Sequence, residues 1–188
     1  MRIMTTVFTG KTGLFLARNF HKKGWRVTLL VNPHCLVLPR DFKIIPFYYF
    51  VQLKTALARE LKQNRYDMVV HSAAVSDYIL PEFFPGKIAS GKKGLNLKLV
   101  QAPKLITQIR QLAPKATLVQ FKLEMNRQGL IEDAYSSLRD NKSDFVVANA
   151  MSDLKKRYRS FLVDRDKNIQ NIFSLKELVQ KLIETQNS

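Results

Sequence analysis

Four short apolar runs, Trp25 to Val31, Tyr66 to His71, Ala116 to Leu123 and Asp144 to Asn149, alternate with stretches whose apolar residues recur at helical spacing. That alternation constrains the fold more than any other feature. A run apolar on both sides of its pleat has to be covered on both faces, which is the condition of a parallel strand between helices. The sequence therefore predicts an α/β, Rossmann-like doubly wound fold with a mainly parallel sheet and a small antiparallel appendage. All of residues 1–188 are assigned to one domain, because no repeat, low-complexity tract or interdomain linker interrupts the pattern.

The helical stretches can be placed in order. Leu14, Leu16, Ala17 and Phe20 mark a helix ending at Gly24, and Val51, Leu53, Ala56, Leu57 and Leu61 mark one from Phe50 to Gln63. Lys104 to Leu112 and Leu130 to Leu138 follow, and Ser174 with Glu177 three residues on forms a capping box for the last. Met1 to Phe8 reads as a strand or extended loop, Phe42 to Phe47 as a short strand, and Leu95 to Val100 as a half-buried antiparallel edge strand. Phe161 to Phe173 reads as a hairpin turning at Asp166-Lys167. Pro81, Pro85, Gly86, Gly91 and Gly94 break the pattern between Ile79 and Gly94, where Lys87, Lys92 and Lys93 make the loop basic.

Two places suit a ligand. His71-Ser-Ala-Ala-Val-Ser-Asp77 follows an apolar run, so small residues and one carboxylate stand at the carboxyl end of a strand, where open α/β sheets bind ligands. A solvated loop with a strand-end histidine is the plain alternative. Thr9-Gly-Lys-Thr-Gly13 opens a helix, and free amides with the helix dipole favour an anion there. A tight turn alone would look the same, since the segment matches neither GxxxxGK[ST] nor GxGxxG. Lys122 interrupts an otherwise apolar strand and needs either water or an anion.

Charge narrows the partners. With 31 Lys and Arg against 15 Asp and Glu, the net charge is +16. This attracts phosphates and polyanions. The basic residues are nevertheless scattered without a base-reading motif, so specific nucleic-acid binding is not expected. The single Cys35 forms no internal disulfide and joins no zinc motif. No apolar run reaches the roughly 20 residues of a membrane span, and the N-terminus lacks a signal h-region. A cytoplasmic protein is expected.

Five segments in order, Ala73-Ala-Val-Ser-Asp-Tyr78, Lys87-Ile-Ala-Ser90, Leu95 to Val100 with Ala102-Pro-Lys-Leu105, Phe121-Lys-Leu-Glu124 and Val147-Ala-Asn149, resemble phosphopantothenoylcysteine synthetase, the phosphopantothenate–cysteine ligase family. The resemblance runs from Arg2 to the last helix. It implies a dimeric enzyme of coenzyme A biosynthesis that joins 4'-phosphopantothenate to L-cysteine through an acyl-nucleotidylate, using CTP or ATP with magnesium (Mg2+). It places nucleotide on His71, Ser72, Ala73, Asp77, Lys87, Pro103, Lys104, Leu105, Ile106, Phe121 and Lys122. It places acyl substrate on Thr9, Gly10, Lys11, Gly13 and Asn149, and catalysis on Lys87 and Thr6, with no metal ligand assigned.

The chain also departs from the family pattern. Thr6 stands where the family usually has an Asn, the N-terminal strand with its Gly-Gly-Thr segment has no counterpart, and Ser137 and Asn141 occupy two positions that are lysines in many bacterial members. A truncated or non-catalytic nucleotide-binding relative is the alternative, and a basic nucleic-acid-binding domain a more distant one. An NAD(P) oxidoreductase is disfavoured, because no GxGxxG with a following acidic residue is present.

Overall fold

The structure is a computed structural model that describes residues 9–34, 36–81, 94, 96–154 and 158–186. Thr6, Lys87 and the strand expected at Met1 to Phe8 lie outside the described residues. The chain runs α1 (Lys11–Lys22), β1 (Thr28–Val31), β2 (Lys43–Pro46), α2 (Phe50–Gln63), β3 (Met68–His71), β4 (Tyr78–Ile79), β5 (Val100–Gln101) and α3 (Leu105–Leu112). It continues through β6 (Thr117–Glu124), α4 (Leu130–Asn141), β7 (Phe145–Ala150), α5 (Met151–Leu154), β8 (Ser160–Asp164), β9 (Ile169–Ile172) and α6 (Leu175–Glu184).

The central sheet has the order β3-β6-β7-β8-β9, with β3, β6 and β7 parallel and β8 and β9 antiparallel. β1 and β2 form a separate parallel pair, and β4 and β5 a short antiparallel ribbon. The antiparallel end follows from local chemistry. The Asp164 carboxylate accepts from the Asp166 and Asn168 amides at 3.0 and 2.8 Å, and Lys167 takes a φ of 63°, so the chain reverses where the sequence predicts.

Helices cover both faces, as buried parallel strands require. On one face α1 and α6 bring Leu16, Phe20, Leu178, Val179 and Leu182 onto Val119, Val147, Leu162 and Ile172. On the other, α2 and α3 pack Leu53, Leu57 and Ile109 against Leu118, while α4 packs Leu130, Ala134 and Leu138 against Val146, Ala148 and Val163. Successive strand residues therefore serve opposite layers.

Two sequence expectations are displaced. The strand expected over Leu95 to Val100 is found at Val100–Gln101, because its partner β4 offers only Tyr78 and Ile79. Leu97 and Leu99 are left outside any ladder and exposed. The strand expected from Trp25 begins at Thr28 instead. Trp25 closes α1, its amide donating to Phe20 O at 3.1 Å and its ring lying edge-on to Phe20 at 5.4 Å.

One polar lock joins the β1–β2 pair to the rest. Glu60 of α2 is buried, and its carboxylate accepts from Lys43 Nζ at 2.8 Å, from Asn64 Nδ2 at 2.9 Å and from the Tyr66 hydroxyl. Tyr66 also lies 2.9 Å from Thr28 Oγ1. Burial pushes the Glu60 carboxyl up, but the bonds from Lys43 and Tyr66 outweigh it and leave the group below its ordinary value. Burial, then the Glu60 carboxylate, push the Tyr66 phenol up to about 12.

Lys43 is half exposed and can rehydrate, so Glu60→Ala should cost about 2 kcal/mol, less than the roughly 3–5 kcal/mol of breaking a fully buried pair. Because Glu60 is lowered, its contribution is present above the ordinary carboxyl value of 4.5 and disappears as pH falls through the lower folded value. Urea unfolding at neutral and acidic pH checks this, the wild-type advantage being expected at the neutral value and shrinking in acid.

Candidate active site

The carboxyl ends of β3, β6 and β7 form one edge, and the N-terminus of α1 reaches it. A Cβ built on Gly13 would stand 3.2 Å from Ser72 Oγ, so the lack of a side chain at Gly13 is what lets the first turn of α1 abut the exit of β3. Gly10 caps α1 at φ 77°, a left-handed conformation suited to glycine, and would meet Val31 Cγ2 at 3.3 Å if it carried a Cβ. The cap has no side-chain hydrogen bond and the first turn no acidic residue. The amides of Lys11, Thr12 and Gly13 precede the first intrahelical bond, Leu14 N to Gly10 O at 3.0 Å, and are therefore open to an anion. Thr9, Gly10 and Lys11 are exposed.

His71 ends β3 in register with Gln120 of β6. Burial pushes its imidazole down to about 4, so at neutral pH it offers an N–H and a lone pair rather than a charge. Beyond it Ala73 and Asp77 are exposed. The Asp77 carbonyl accepts from the Ala102 amide at 2.8 Å, which brings the loop from Ser72 to Asp77 against the segment entering α3. Pro103 and Lys104 are exposed there, but Leu105 and Ile106 are only 4 and 8% exposed and belong to the core. Any contact that those two make with a ligand is through their backbone amides in the first turn of α3.

At the end of β6 the ion pair Lys122 Nζ to Glu124 Oε1, 2.9 Å, answers the question of what compensates Lys122. Both side chains remain about one-third exposed, at 35 and 32%, so an arriving phosphate would compete with Glu124 for the ammonium. Phe121 turns to the opposite face and packs on the core beneath α1 and α6.

Gln120 belongs to no motif in the sequence. It is 3% exposed and held by α4, its Nε2 donating to Ser137 Oγ at 3.3 Å and its Oε1 accepting from Asn141 Nδ2 at 2.9 Å. Asn141 also donates to Ser137 Oγ at 3.2 Å. The two departures from lysine on this helix thus belong to one neutral network beside His71. A glutamine inside a run of buried apolar residues was the only signal available.

Pleat alternation sorts the candidates into two groups. His71, Gln120, Lys122 and Glu124 face the layer of α3 and α4. Phe121 and Asn149 face the layer of α1 and α6. Asn149 is 6% exposed and donates through Nδ2 to Val147 O at 3.2 Å. It lies two strands from β3, about 10 Å at ordinary strand spacing, so it does not touch the Gly13–Ser72 contact. The edge therefore offers an anion site at α1, a second set of open amides at α3, one neutral imidazole and one tethered lysine. That arrangement can hold two phosphorylated molecules over the same strand ends.

Comparison with known proteins agrees in fold and in sequence. Residues 1–186 match the family described as the DNA/pantothenate metabolism flavoprotein C-terminal domain. The chain is 32% identical over 161 residues to the coenzyme A biosynthesis bifunctional protein CoaBC of Thermococcus kodakarensis, covering 80% of this chain and 38% of the relative. It is 36% identical over 114 residues to phosphopantothenate–cysteine ligase 1 of Arabidopsis thaliana, covering 57% of this chain and 36% of that one. The chain spans well under half the length of these curated relatives. A crystal structure of the DNA/pantothenate metabolism flavoprotein from Streptococcus pneumoniae superposes with a TM-score of 0.81 at 22% identity, covering 99% of this chain and 93% of that one.

Proposed function

The chain belongs to the DNA/pantothenate metabolism flavoprotein C-terminal domain family, and from that premise we propose that it is a phosphopantothenate–cysteine ligase acting in coenzyme A biosynthesis. The observation that carries the reading is the close approach of Gly13 to Ser72, which sets an open helix N-terminus beside a strand exit lined by small residues. The phosphate of 4'-phosphopantothenate sits on the α1 amides, and the acyl chain runs over the strand ends toward Asn149. The nucleoside triphosphate, CTP or ATP, occupies the side of His71, Ser72, Ala73, Asp77 and the segment from Pro103 to Ile106, with Lys122 at its border.

In the first step a carboxylate oxygen attacks the α-phosphorus, and pyrophosphate leaves with the electron pair of the broken P–O bond. Lys122 and Lys87 supply positive charge to the departing oxygens, the kind of fixed electrostatic help that usually carries most of such a step. In the second step the cysteine amine attacks the acyl carbon, the nucleoside monophosphate departs, and the amine proton passes to solvent. The resemblance gives Thr6 the sequence position of the family's Asn, which assists conversion of the acyl-nucleotidylate in this step.

Among the described residues no three His, Cys, Asp or Glu converge to hold a metal ion. Mg2+, carried by the triphosphate, would offset phosphate charge as pyrophosphate leaves. Tyr78, Leu80, Leu97 and Leu99 leave an apolar surface exposed on and beside the β4–β5 ribbon, which supports a homodimer through that surface. No helix among the described residues is long and apolar enough to cross a membrane. The reaction is assigned to the cytoplasm.

The test is direct. Purified chain is given 4'-phosphopantothenate, Mg2+ and either CTP or ATP, with and without cysteine, and pyrophosphate and product are followed by coupled assay and mass spectrometry. Pyrophosphate release that depends on phosphopantothenate, with amide formed only when cysteine is present, is expected. No pyrophosphate with either nucleotide would refute the ligase reading. Release of pyrophosphate without amide would mark a chain arrested at the first step.

A further inference from the structure

The end of α4 and the start of β7 lie at the amino ends of the parallel strands, on the edge away from the strand exits at Ser72 and Asn149. A shallow cavity of about 540 Å³ opens there, lined by Tyr135, Leu138, Arg139, Lys142, Ser143 and Arg165. Three of these residues are cationic and none is acidic. Arg139 and Lys142 are exposed, and neither side chain has a hydrogen bond or ion pair among the described residues. Arg165 is 58% exposed, donates to Ser143 O at 3.2 Å and pairs with Asp144 at 2.7 Å. Asp144 also answers Arg110, so the cavity keeps a net positive charge.

The needs of the helix end do not account for this group. Cations in a last turn commonly answer the negative end of a helix and its free carbonyls. Here the carbonyls of Leu138 and Arg139 accept from the Ser143 and Lys142 amides at 3.0 and 3.1 Å. Those of Lys142 and Ser143 accept from Arg110 and Arg165 at 2.9 and 3.2 Å. Lys142 also holds a φ of 52°, a left-handed position where glycine or asparagine is the usual occupant, so its charge is kept at a backbone cost. A second, independent sign lies in the cavity lining. Ser143 is fully buried, and its Oγ has no hydrogen-bond partner among the described residues. A buried hydroxyl left unpaired lowers stability, and alanine would occupy the same position without that loss.

We propose that Arg139, Lys142 and Arg165, with the Ser143 hydroxyl beneath them, bind the phosphate group of a small molecule at the edge opposite the proposed active site. The inference goes beyond the ligase reading and is independent of it. Two guanidinium forks and an ammonium meet a tetrahedral dianion through several charge-assisted hydrogen bonds, and a further oxygen gives the serine proton the acceptor it lacks. A single carboxylate offers only two oxygens to three cations and a hydroxyl. The charge is gathered in one cavity and not along a groove, which favours a small molecule over a nucleic-acid backbone. Tyr135, its hydroxyl donating to Arg165 O at 3.2 Å, adds a partly exposed aromatic wall for whatever group the phosphate carries.

Amide 1H–15N spectra of the full chain, titrated with inorganic phosphate and with phenyl phosphate at an ionic strength held constant by chloride, test this. The amides from Arg139 to Asp144 and that of Arg165 should shift along a saturating curve. Arg139→Gln and Lys142→Asn should each weaken phosphate about tenfold, the effect of one charge-assisted hydrogen bond, and asparagine suits the left-handed backbone at 142. Lys62→Gln removes an equal charge from the last turn of α2 and should leave the curve unchanged. Ser143→Ala should weaken phosphate a few-fold while Tm stays at or above the wild-type value, a combination that a hydroxyl without a ligand would not give. Tighter binding of phenyl phosphate identifies an ester as the ligand and equal binding the free ion, and both uphold the site. Shifts confined to Lys11, Thr12 and Gly13 overturn it while the ligase reading stands, because those amides report the α1 end. Shifts that never saturate, or equal weakening by Lys62→Gln, mark diffuse charge and overturn it too. So does a duplex oligonucleotide that moves the same amides at lower concentration than either phosphate.

Discussion

Asp144→Ala is expected to cost about 3–5 kcal/mol of stability, the range for removing one partner of a buried charge pair. The Asp144 carboxylate accepts from Arg110 Nη2 at 2.5 Å and from the Leu118 amide at 2.7 Å, and forms an ion pair with Arg165 Nη2 at 2.7 Å. Arg110 is 14% exposed, and three of its other N–H groups are spent on the carbonyls of Lys142, Pro114 and Ala116. Without the carboxylate its charge stays buried and uncompensated, and the Leu118 amide loses its acceptor. Arg165 is 58% exposed and can return to water, so it adds little to the loss.

The geometry also predicts where the damage stops. Asp144 immediately precedes β7, at the amino ends of the parallel strands, on the opposite edge from Ser72 and Asn149. Ligand affinity per folded molecule should therefore be unchanged. Urea titration with a constant m-value, combined with calorimetry well below the transition, separates the two quantities. A loss under about 1 kcal/mol would mean that Arg110 finds water as easily as Arg165 does.

The contrast between that network and the secondary structure explains what the sequence could reveal. Helix α2 begins and ends at the residues expected, Phe50 and Gln63, because apolar residues recur at helical spacing between them and give way to polar Gln63 and Asn64. The Ser174 cap is present, with the Glu177 amide donating to its hydroxyl at 3.1 Å. Such features are local, and local spacing records them. Glu60 looks like any solvated helix glutamate until Lys43 and Tyr66 are brought to it from different elements. Gln120, Ser137 and Asn141 are likewise read as unrelated polar residues until β6 and α4 meet. Leu95 to Val100 failed for the reverse reason, since its alternation was strong but the partner strand was too short to use it.

The candidate site divides in the same way. The strand exit at His71 and the turn at Gly13 could each be recognised as ligand-bearing types, but their adjacency depends on how α1 lies against β3. The side chains of Leu105 and Ile106 could be assigned to the core only once the buried face of α3 was known. The separation of Asn149 from His71 onto opposite faces depends on pleat register, which a one-residue slip would reverse.

Gly13→Asp is expected to raise the Kd for 4'-phosphopantothenate by at least about 100-fold, near 2.7 kcal/mol, while leaving the fold intact or slightly more stable. The two effects come from one charge. A carboxylate in the first turn of α1 meets open amides and the positive end of the helix, which favours the helix by about 0.3–1 kcal/mol. Replacing glycine inside the helix adds a gain of similar size, set against the close approach of the new Cβ to Ser72 Oγ at 3.2 Å, where the hydroxyl can turn aside. The phosphate meets the same carboxylate as a like charge. At about 4 Å and an effective dielectric constant near 20 the repulsion is roughly 4 kcal/mol, and partial exposure reduces it toward the value expected here. Gly13→Ala adds the methyl without the charge and should weaken binding only a few-fold, so comparing the two separates electrostatics from crowding. Thermal unfolding reports the helix and calorimetry the ligand. If Gly13→Asp bound phosphopantothenate within about threefold of wild type, the phosphate would have to sit elsewhere, and the α1 N-terminus would be a packing device between β1 and β3 rather than an anion site.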